Sequence, residues 1–224
     1  MPAQAIREEA QMRDDKLDLY TEPDADVDTL ANLGPLAPMA GVFEGAHGAD
    51  VHPGQSGDEP DAFVERYQLD PIDPQTNGPQ LLYGLRYHQH VRKPGEVGAF
   101  HDQVGFWLWE PATETVTLSI AIPRAQVVLA SGHATSDADT FSLEAHRGST
   151  TQGIVSGPFL DTYFLTDSYS ITVRILGPDS WRYEEFTLMQ ITGRTAPVRH
   201  SDSSTLTRVA PPVPNPLANL AAGP

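Results

Sequence analysis

The sequence predicts an all-β protein, an antiparallel up-and-down β-barrel of about ten strands with a short N-terminal helix. Twenty prolines and eighteen glycines among 224 residues favour short elements joined by turns over long helices. Strand-like segments recur along the chain and are separated by Gly, Pro, Asp and Asn. There is no internal repeat and no second apolar core, so one closed core is expected.

Composition divides the chain into three parts. Residues 1–28 are acidic and poor in aromatics, which predicts a solvated arm; residues 29–210 form the barrel domain, and residues 211–224 a proline-rich tail. A short helical segment ends near Asn32, and Leu33-Gly34-Pro35 leads into the strands. The predicted strands are 39–48, 62–69, 80–91, 99–110, 115–122, 126–131, 140–145, 152–156, 169–176 and 181–192.

The strand predicted over residues 99–110 is apolar on both faces. One face carries Val104, Phe106 and Leu108, and the other carries Gly105, Trp107 and Trp109. One face of such a strand is expected to line the barrel interior, and the other to be covered by a loop or a partner subunit. An exposed Trp107/Trp109 face would favour a homodimer.

Charge and cysteine content exclude several classes of function. The net charge of −16 repels phosphate backbones and anionic lipid surfaces, so neither a nucleic acid nor a membrane is an expected partner. The absence of cysteine excludes disulfides, zinc ribbons, iron–sulfur clusters and thiol nucleophiles. The N-terminus lacks the apolar core of a signal peptide and no apolar run is of membrane-spanning length, which predicts a cytoplasmic protein.

Histidines supply the candidate chemistry. His88 and His90 share one face of a predicted strand and could ligate one metal ion, with Glu96 downstream; the alternative is two half-exposed histidines without a ligand. His101 is expected near them across a hairpin, either in an apolar pocket or hydrogen-bonded to Asp102 or to a strand carbonyl at the barrel rim. Glu184 and Glu185 are adjacent on a strand and face opposite sides, so they are poor partners for acid–base catalysis.

Several segments together resemble the nitrobindin family. Its Gly-x-Trp-x-Gly-x-Gly signature is approximated by Gly41, Phe43, Gly45 and Gly48, following Leu33-Gly34-Pro35-Leu36. Phe43 stands where the family has tryptophan, and Gly48 comes one position late. The segments 80–83, 98–107 and 120–126 are similar to central strands of the family, and 199–208 to the segment that carries its heme ligand. The resemblance covers roughly residues 33–208 and implies a barrel like the lipocalins and fatty-acid-binding proteins, holding heme b at one open end.

The resemblance also implies roles for individual residues. His200, which we expect outside any strand, would be the axial ligand of a ferric heme. His101 would line the opposite side of the iron and be the catalytic residue. Either Arg199 or Arg208 would neutralise a propionate. The residues expected to contact the cofactor are Gly41, Phe43, Gly45, His101, Ile122 and Arg208. The family binds nitric oxide and isomerises peroxynitrite to nitrate, so these are the expected small-molecule partners.

Two rival functions remain open at this level. The altered glycine motif and the segments 51–60 and 70–79 could reshape the opening, which would favour a heme-free, lipocalin-like carrier of an apolar small molecule. The other rival is a mononuclear metal enzyme whose ligands are His88, His90 and His101.

Overall fold

A computed structural model describes residues 18–54 and 57–214 of the chain. Most of the predicted acidic arm and of the predicted tail, residues 1–17 and 215–224, therefore lies outside the described residues. Two short α-helices, α1 and α2, span Thr29–Asn32 and Pro158–Tyr163, and a 3-10 helix spans Gly34–Met39. The strands β1 to β12 are Gly41–Pro53, Asp58–Pro71, Gln75–Asn77, Gln80–Arg92, Ala99–Glu110, Thr115–Ile122, Gln126–His133, Thr140–Arg147, Gly153–Ser156, Phe164–Gly177, Ser180–Ile191 and Val198–Ala210.

The strands form one closed, mainly antiparallel barrel, which confirms the predicted fold class. β12 returns to pair with β1, and β2 pairs with β4 to join the two ends of the sheet. β9 runs parallel to β8 and antiparallel to β7, while β3 pairs only with β4. Leaving out β3, eleven strands make up the barrel, one more than predicted. The sequence indicates two segments that could reshape the opening. The first, residues 51–60, includes the turn between β1 and β2, and the second, residues 70–79, contains β3.

Strand β5 has two apolar faces, but the tryptophans are on the inside. Trp107 is 0% exposed and Trp109 is 3% exposed, whereas Val104 and Phe106 are 45% and 39% exposed. The indole rings fill the barrel because they have the largest apolar surface to remove from water. The prediction of an exposed Trp107/Trp109 face is therefore wrong, and with it the reason given for a homodimer.

The N-terminal helices seal one end of the barrel. Leu33, Leu36 and Met39 are fully buried, and Gly34, at φ +54°, passes so close to the indole of Trp109 that a side chain there would overlap the ring. Arg208 fixes the same end. It donates hydrogen bonds to the carbonyls of Pro38, Ala40 and Pro178, and its Nε lies 3.0 Å from Asp179 Oδ1. We call this the closed end.

Among the described residues, no helix plugs the opposite end. It is bordered by the turns that follow β1, β4, β6 and β11, and by α2, which has no buried residue. We call it the open end. No helix in residues 18–54 and 57–214 has the length and apolar character needed to cross a bilayer.

The fold makes a testable demand on Gly105. A Cβ at this position would overlap the backbone oxygen of Ser119 on β6, which cannot move without breaking the ladder. We expect Gly105→Ala to lower the free energy of unfolding by about 1–3 kcal/mol, as overpacking usually does.

Gly98 provides the matched control. A Cβ there meets nothing within 4 Å, so we expect Gly98→Ala to change the free energy of unfolding by less than about 0.5 kcal/mol. Urea unfolding of both variants checks the prediction, and equal midpoints for the two would contradict it.

Candidate functional site

A β-bulge in β1 determines which side chains enter the open end. Gly45 pairs with Glu65 and Gly48 with Phe63, so Ala46 and His47 together oppose one residue of β2. The extra residue reverses the inward and outward alternation beyond this point. This extra residue also explains why Gly48, the last glycine of the motif, comes one position late. Downstream of the bulge, Asp50 points into the barrel and is 7% exposed.

His200 meets Asp50 at the open end. It lies on β12, not outside the strands as predicted, and pairs with Thr187 on β11. Its Nε2 is 2.8 Å from Asp50 Oδ1 and 3.3 Å from Asp202 Oδ2. The other oxygen of Asp50 is 3.2 Å from His52 Nδ1. Asp50 therefore sits between two imidazoles, and its carboxylate fixes the His200 ring.

The charges in this group support one another. Burial disfavours a charged imidazole, but the Asp50 hydrogen bond and the nearby Asp202 outweigh it and raise the pKa of His200. Burial also opposes ionisation of Asp50, yet His200 and His52 hold the pKa of Asp50 below its usual value. Burial, with the adjacent Asp50, raises the pKa of Asp202 to about 6. Near neutral pH the group therefore favours a cation beside Asp50.

A second polar layer lies deeper in the barrel. Gln89 Nε2 donates to Glu65 at 2.7 Å, and the Tyr183 hydroxyl lies 3.0 Å from the same carboxyl group. The Tyr169 hydroxyl is 3.0 Å from Glu185 Oε1. Burial raises the pKa of Glu65, and that of Glu185 to about 8. Glu185 thus keeps its proton at neutral pH and adds no full charge below His200.

His101 lies on the opposite wall of the open end. It pairs with Val91 and faces inward, with its Nε2 3.1 Å from Gln103 Oε1. Gln103 Nε2 in turn donates to the Tyr87 hydroxyl at 2.8 Å. This chain fixes the amide so that His101 Nε2 is the donor. Burial lowers the pKa of His101, and the charges of Arg124 and His200 lower it further, so its imidazole is neutral at neutral pH.

Ile122, another residue expected to contact the cofactor, packs against the hydrophobic core.

His88 and His90 point away from this site. His90 pairs with Asp102 on the outer face of the sheet, while the next pair along, Val91 and His101, faces inward. The sequence expectation that His101 lies beside His88 and His90 is corrected by this register, because successive residues of a strand face opposite sides. Three imidazoles on two faces of one sheet cannot bind one ion. The hydrogen-bonding alternative predicted for His101 also changes, since its partner is Gln103 and not Asp102.

Three residues expected at the cofactor lie at the other end of the barrel. Gly41 begins β1 beside Arg208, and Phe43 packs on Trp181 with ring centroids 5.9 Å apart. Arg208 is eight residues beyond His200 on β12, about 26 Å at the rise of an extended strand. One ligand at His200 cannot contact this group, and the expected propionate partner Arg208 is instead part of the closed end.

The remaining predicted residues also have structural contacts. A Cβ at Gly45 would lie 2.5 Å from Ser204 Oγ and 3.0 Å from Glu65 Oε1, so this glycine makes room for the deeper polar layer. Arg199 lies on the outer face, with its guanidinium carbon 3.8 Å from the centroid of the Phe186 ring.

The donor set at the open end fits an iron-containing cofactor. His200 is 30% exposed, so its imidazole is partly buried and still accessible from the open end. Imidazole nitrogen is a good ligand for iron, and the ionised Asp50 favours positive charge beside it. Phe63 and Val91 are buried and point inward on neighbouring strands, where they supply apolar wall. Among the predicted residues, His200, His101 and Ile122 are therefore the ones that share this end.

A large groove lies elsewhere on the barrel. A groove of about 1070 Å³ runs along the outer face of the barrel and contains neither His200 nor His101. Exposed apolar side chains form its walls, Val104, Phe106, Val127, Leu129 and Val155. The volume of this groove would favour a ligand on the outer face. An iron ligand must offer a suitable donor atom, however, and the inward-facing imidazoles lie at the open end.

Sequence reasoning missed four acidic residues of the interior, Asp50, Glu65, Glu185 and Asp202. Glu185 was set aside because its neighbour Glu184 faces the other way, which is correct, since Glu184 contacts Arg182 on the surface. Strict alternation from Phe43 would have turned Asp50 outward. The misplaced Gly48 was the one available signal of the bulge that turns it inward.

Raised carboxyl pKa values predict that stability falls as pH rises. The pKa of Glu185 rises from 4.5 in an ordinary setting to about 8 in the fold, so its contribution is complete below pH 4.5 and is lost as pH rises through 8. The raised pKa values of Asp202 and His200 act in the same direction. Each such group contributes a slope of at most about 1.4 kcal/mol per pH unit.

Glu185→Gln should therefore flatten this pH dependence, whereas Glu184→Gln, its exposed neighbour, should leave it unchanged. Urea unfolding of the heme-free protein between pH 5 and pH 8.5 measures the slope. A wild-type stability that rises over this interval would contradict the assignment.

Comparison with known proteins gives the family. The model of the THAP4-like, heme-binding beta-barrel domain matches residues 32–208. The crystal structure of Rv2717c from M. tuberculosis superposes with a TM-score of 0.56, at 20% identity, over 83% of this chain and 99% of that one. At this identity the likeness shows a shared fold. No curated protein sequence matches the chain. The family match covers most of the chain, and the chain therefore belongs to the THAP4-like, nitrobindin family of heme-binding β-barrels.

Proposed function

We propose that the chain binds heme b at the open end and that His200 would be its iron ligand. The observation that supports this most directly is the position of His200: an inward imidazole, partly buried, and hydrogen-bonded to a buried carboxylate. The position of His200 also agrees with the family resemblance of segment 199–208. When bound, ferric heme supplies a Lewis acid that takes up nitric oxide and promotes rearrangement of peroxynitrite to nitrate.

The residues around His200 prepare this role. Asp50 and Asp202 both contact His200 through Nε2, and these contacts hold the imidazole at the open end. A metal held by Nε2 would replace these contacts, and the carboxylate of Asp50 and that of Asp202, which has a pKa of about 6, would then lie beside its positive charge. Glu185 stays protonated, so the negative charge is concentrated at Asp50 and Asp202.

His101 is suited to line the side opposite His200. Its imidazole is neutral and its Nε2 hydrogen is committed to Gln103, so the other ring nitrogen is the one that can accept a hydrogen bond. Because the His101 imidazole carries no charge, nitric oxide and peroxynitrite can enter beside it. The peroxynitrite anion is then not bound so tightly that it stays in the site. The cytoplasmic location and the homodimer remain predictions. The alternative function, a heme-free carrier of an apolar small molecule, also remains a prediction, and the outer groove offers the apolar surface that it would need.

Loss of the axial ligand gives the first test. Titration of the heme-free protein with ferric heme should give a sharp Soret band that saturates at one heme per chain, and His200→Ala should abolish that band. His133→Ala is the matched control, because His133 is an exposed imidazole paired with Glu114 at 3.2 Å on the far side of the barrel. An unchanged Soret band in His200→Ala would falsify ligation by His200. A wild type with no saturable band would favour the apolar carrier.

Loss of His101 tests the proposed chemistry separately. We expect His101→Leu to keep the Soret band and to slow peroxynitrite decay by the heme-loaded protein about a hundredfold to a thousandfold, the range for removal of a hydrogen-bonding group beside a reacting centre. Stopped-flow absorbance with nitrate analysis measures this. If peroxynitrite decays no faster with the heme-loaded wild type than with free ferric heme, the isomerase proposal fails, and the heme-binding proposal is unaffected.

A further inference from the structure

The outer face of the barrel carries a second histidine cluster that heme binding does not use. His88 and His90 lie two residues apart on β4 and therefore share a face, and Asp102 lies opposite His90 on β5. The three side chains are 47%, 53% and 38% exposed. The cluster is thus open to solvent and separated by the sheet from His101 and His200.

The three side chains already converge. His90 Nε2 is 2.8 Å from Asp102 Oδ2, and His88 Nε2 is 3.2 Å from Asp102 Oδ1. The imidazole rings lie 4.7 Å apart, and one ligand atom from each of the three residues falls within 4.8 Å of the others. Tetrahedral zinc holds adjacent ligand atoms about 3.4 Å apart, so small rotations of exposed side chains would complete the geometry.

We infer that His88, His90 and Asp102 form a surface site for one divalent transition-metal ion such as Zn²⁺. Two imidazole nitrogens and a carboxylate oxygen match the ligands that zinc prefers, and three protein ligands leave one tetrahedral position for water. β4 and β5 pair continuously from Tyr83 to Val91, so the two strands fix the ligand positions before the ion arrives. The net charge of −16 raises the local concentration of cations.

Neighbouring arginines oppose a cation, and their contacts limit this effect. Arg66 lies opposite His90 on β2, and its guanidinium is 2.7 Å from Glu44. Arg92, two residues beyond His90, donates to the carbonyl of Glu96 at 2.9 Å. Arg86 lies two residues before His88 on β4, and Asp70 is its neighbour on β2 in the register of the β2–β4 ladder. Gln68, opposite His88, carries no charge. An acidic residue thus stands beside two of the three arginines.

Zn²⁺ titration of the heme-free protein, in competition with a chromophoric chelator, is the test. In a His200→Ala background, which removes the only other three-ligand cluster found in residues 18–54 and 57–214, we expect one Zn²⁺ per chain. Adding His88→Ala, His90→Ala or Asp102→Asn should weaken binding at least about tenfold.

His133→Ala is again the matched control, since His133 and Glu114 form an exposed pair without a third ligand. It should leave Zn²⁺ affinity unchanged. The added substitutions alter side chains on the outer face, and a melting temperature equal to that of the His200→Ala parent in the absence of metal checks that each variant folds. Absence of saturable binding up to about 1 mM Zn²⁺ would overturn the proposal. So would binding that survives His88→Ala together with His90→Ala. Neither result bears on heme, which is read from the Soret band of the His200 variants.

Discussion

Pairing of β2 with β4 is the constraint on which the rest of the structure depends. This ladder runs from Val64 opposite Arg92 to Pro71 opposite Leu85 and joins the two ends of the sheet. Closure joins the edges of the barrel sheet and gives each of its eleven strands one face toward a shared interior. The alternation along each strand then sorts side chains into an inner and an outer set. His101 and Asp102 are neighbours in sequence, yet they belong to different sites for this reason.

The interior is graded along the barrel axis. At the closed end, fully buried Leu36, Phe43 and Trp181 exclude water and anchor the helices. Carboxyl groups, amides and phenols form hydrogen-bonded pairs farther along, where burial keeps Glu185 protonated. Ionised Asp50 meets the imidazole of His200 at the open end and raises the pKa of that imidazole. Stability resides mainly in the apolar end, so the polar end can hold groups that are costly to bury and useful for binding a cation.

The same register supports two independent metal-binding proposals. His200 offers one imidazole to a cofactor inside the barrel, backed by carboxylates. His88 and His90 offer two imidazoles outside it, joined by Asp102. The two clusters differ in donor set and in exposure, as heme iron and a free divalent ion require: a single axial ligand in a sheltered site for the first, three converging ligands at the surface for the second.

The sequence by itself determined the all-β class, the approximate strands and the family resemblance, and it supplied His200 as the proposed heme ligand. These depend on local patterns: turn residues, apolar alternation and the order of motifs. It placed Trp107 and Trp109 on the wrong face, put His101 beside His88, and sent Arg208 to the cofactor. Only the tertiary structure decided these points, because a face is defined by closure of the barrel and by strand register. A single extra residue in the β1 bulge was enough to turn Asp50 toward His200.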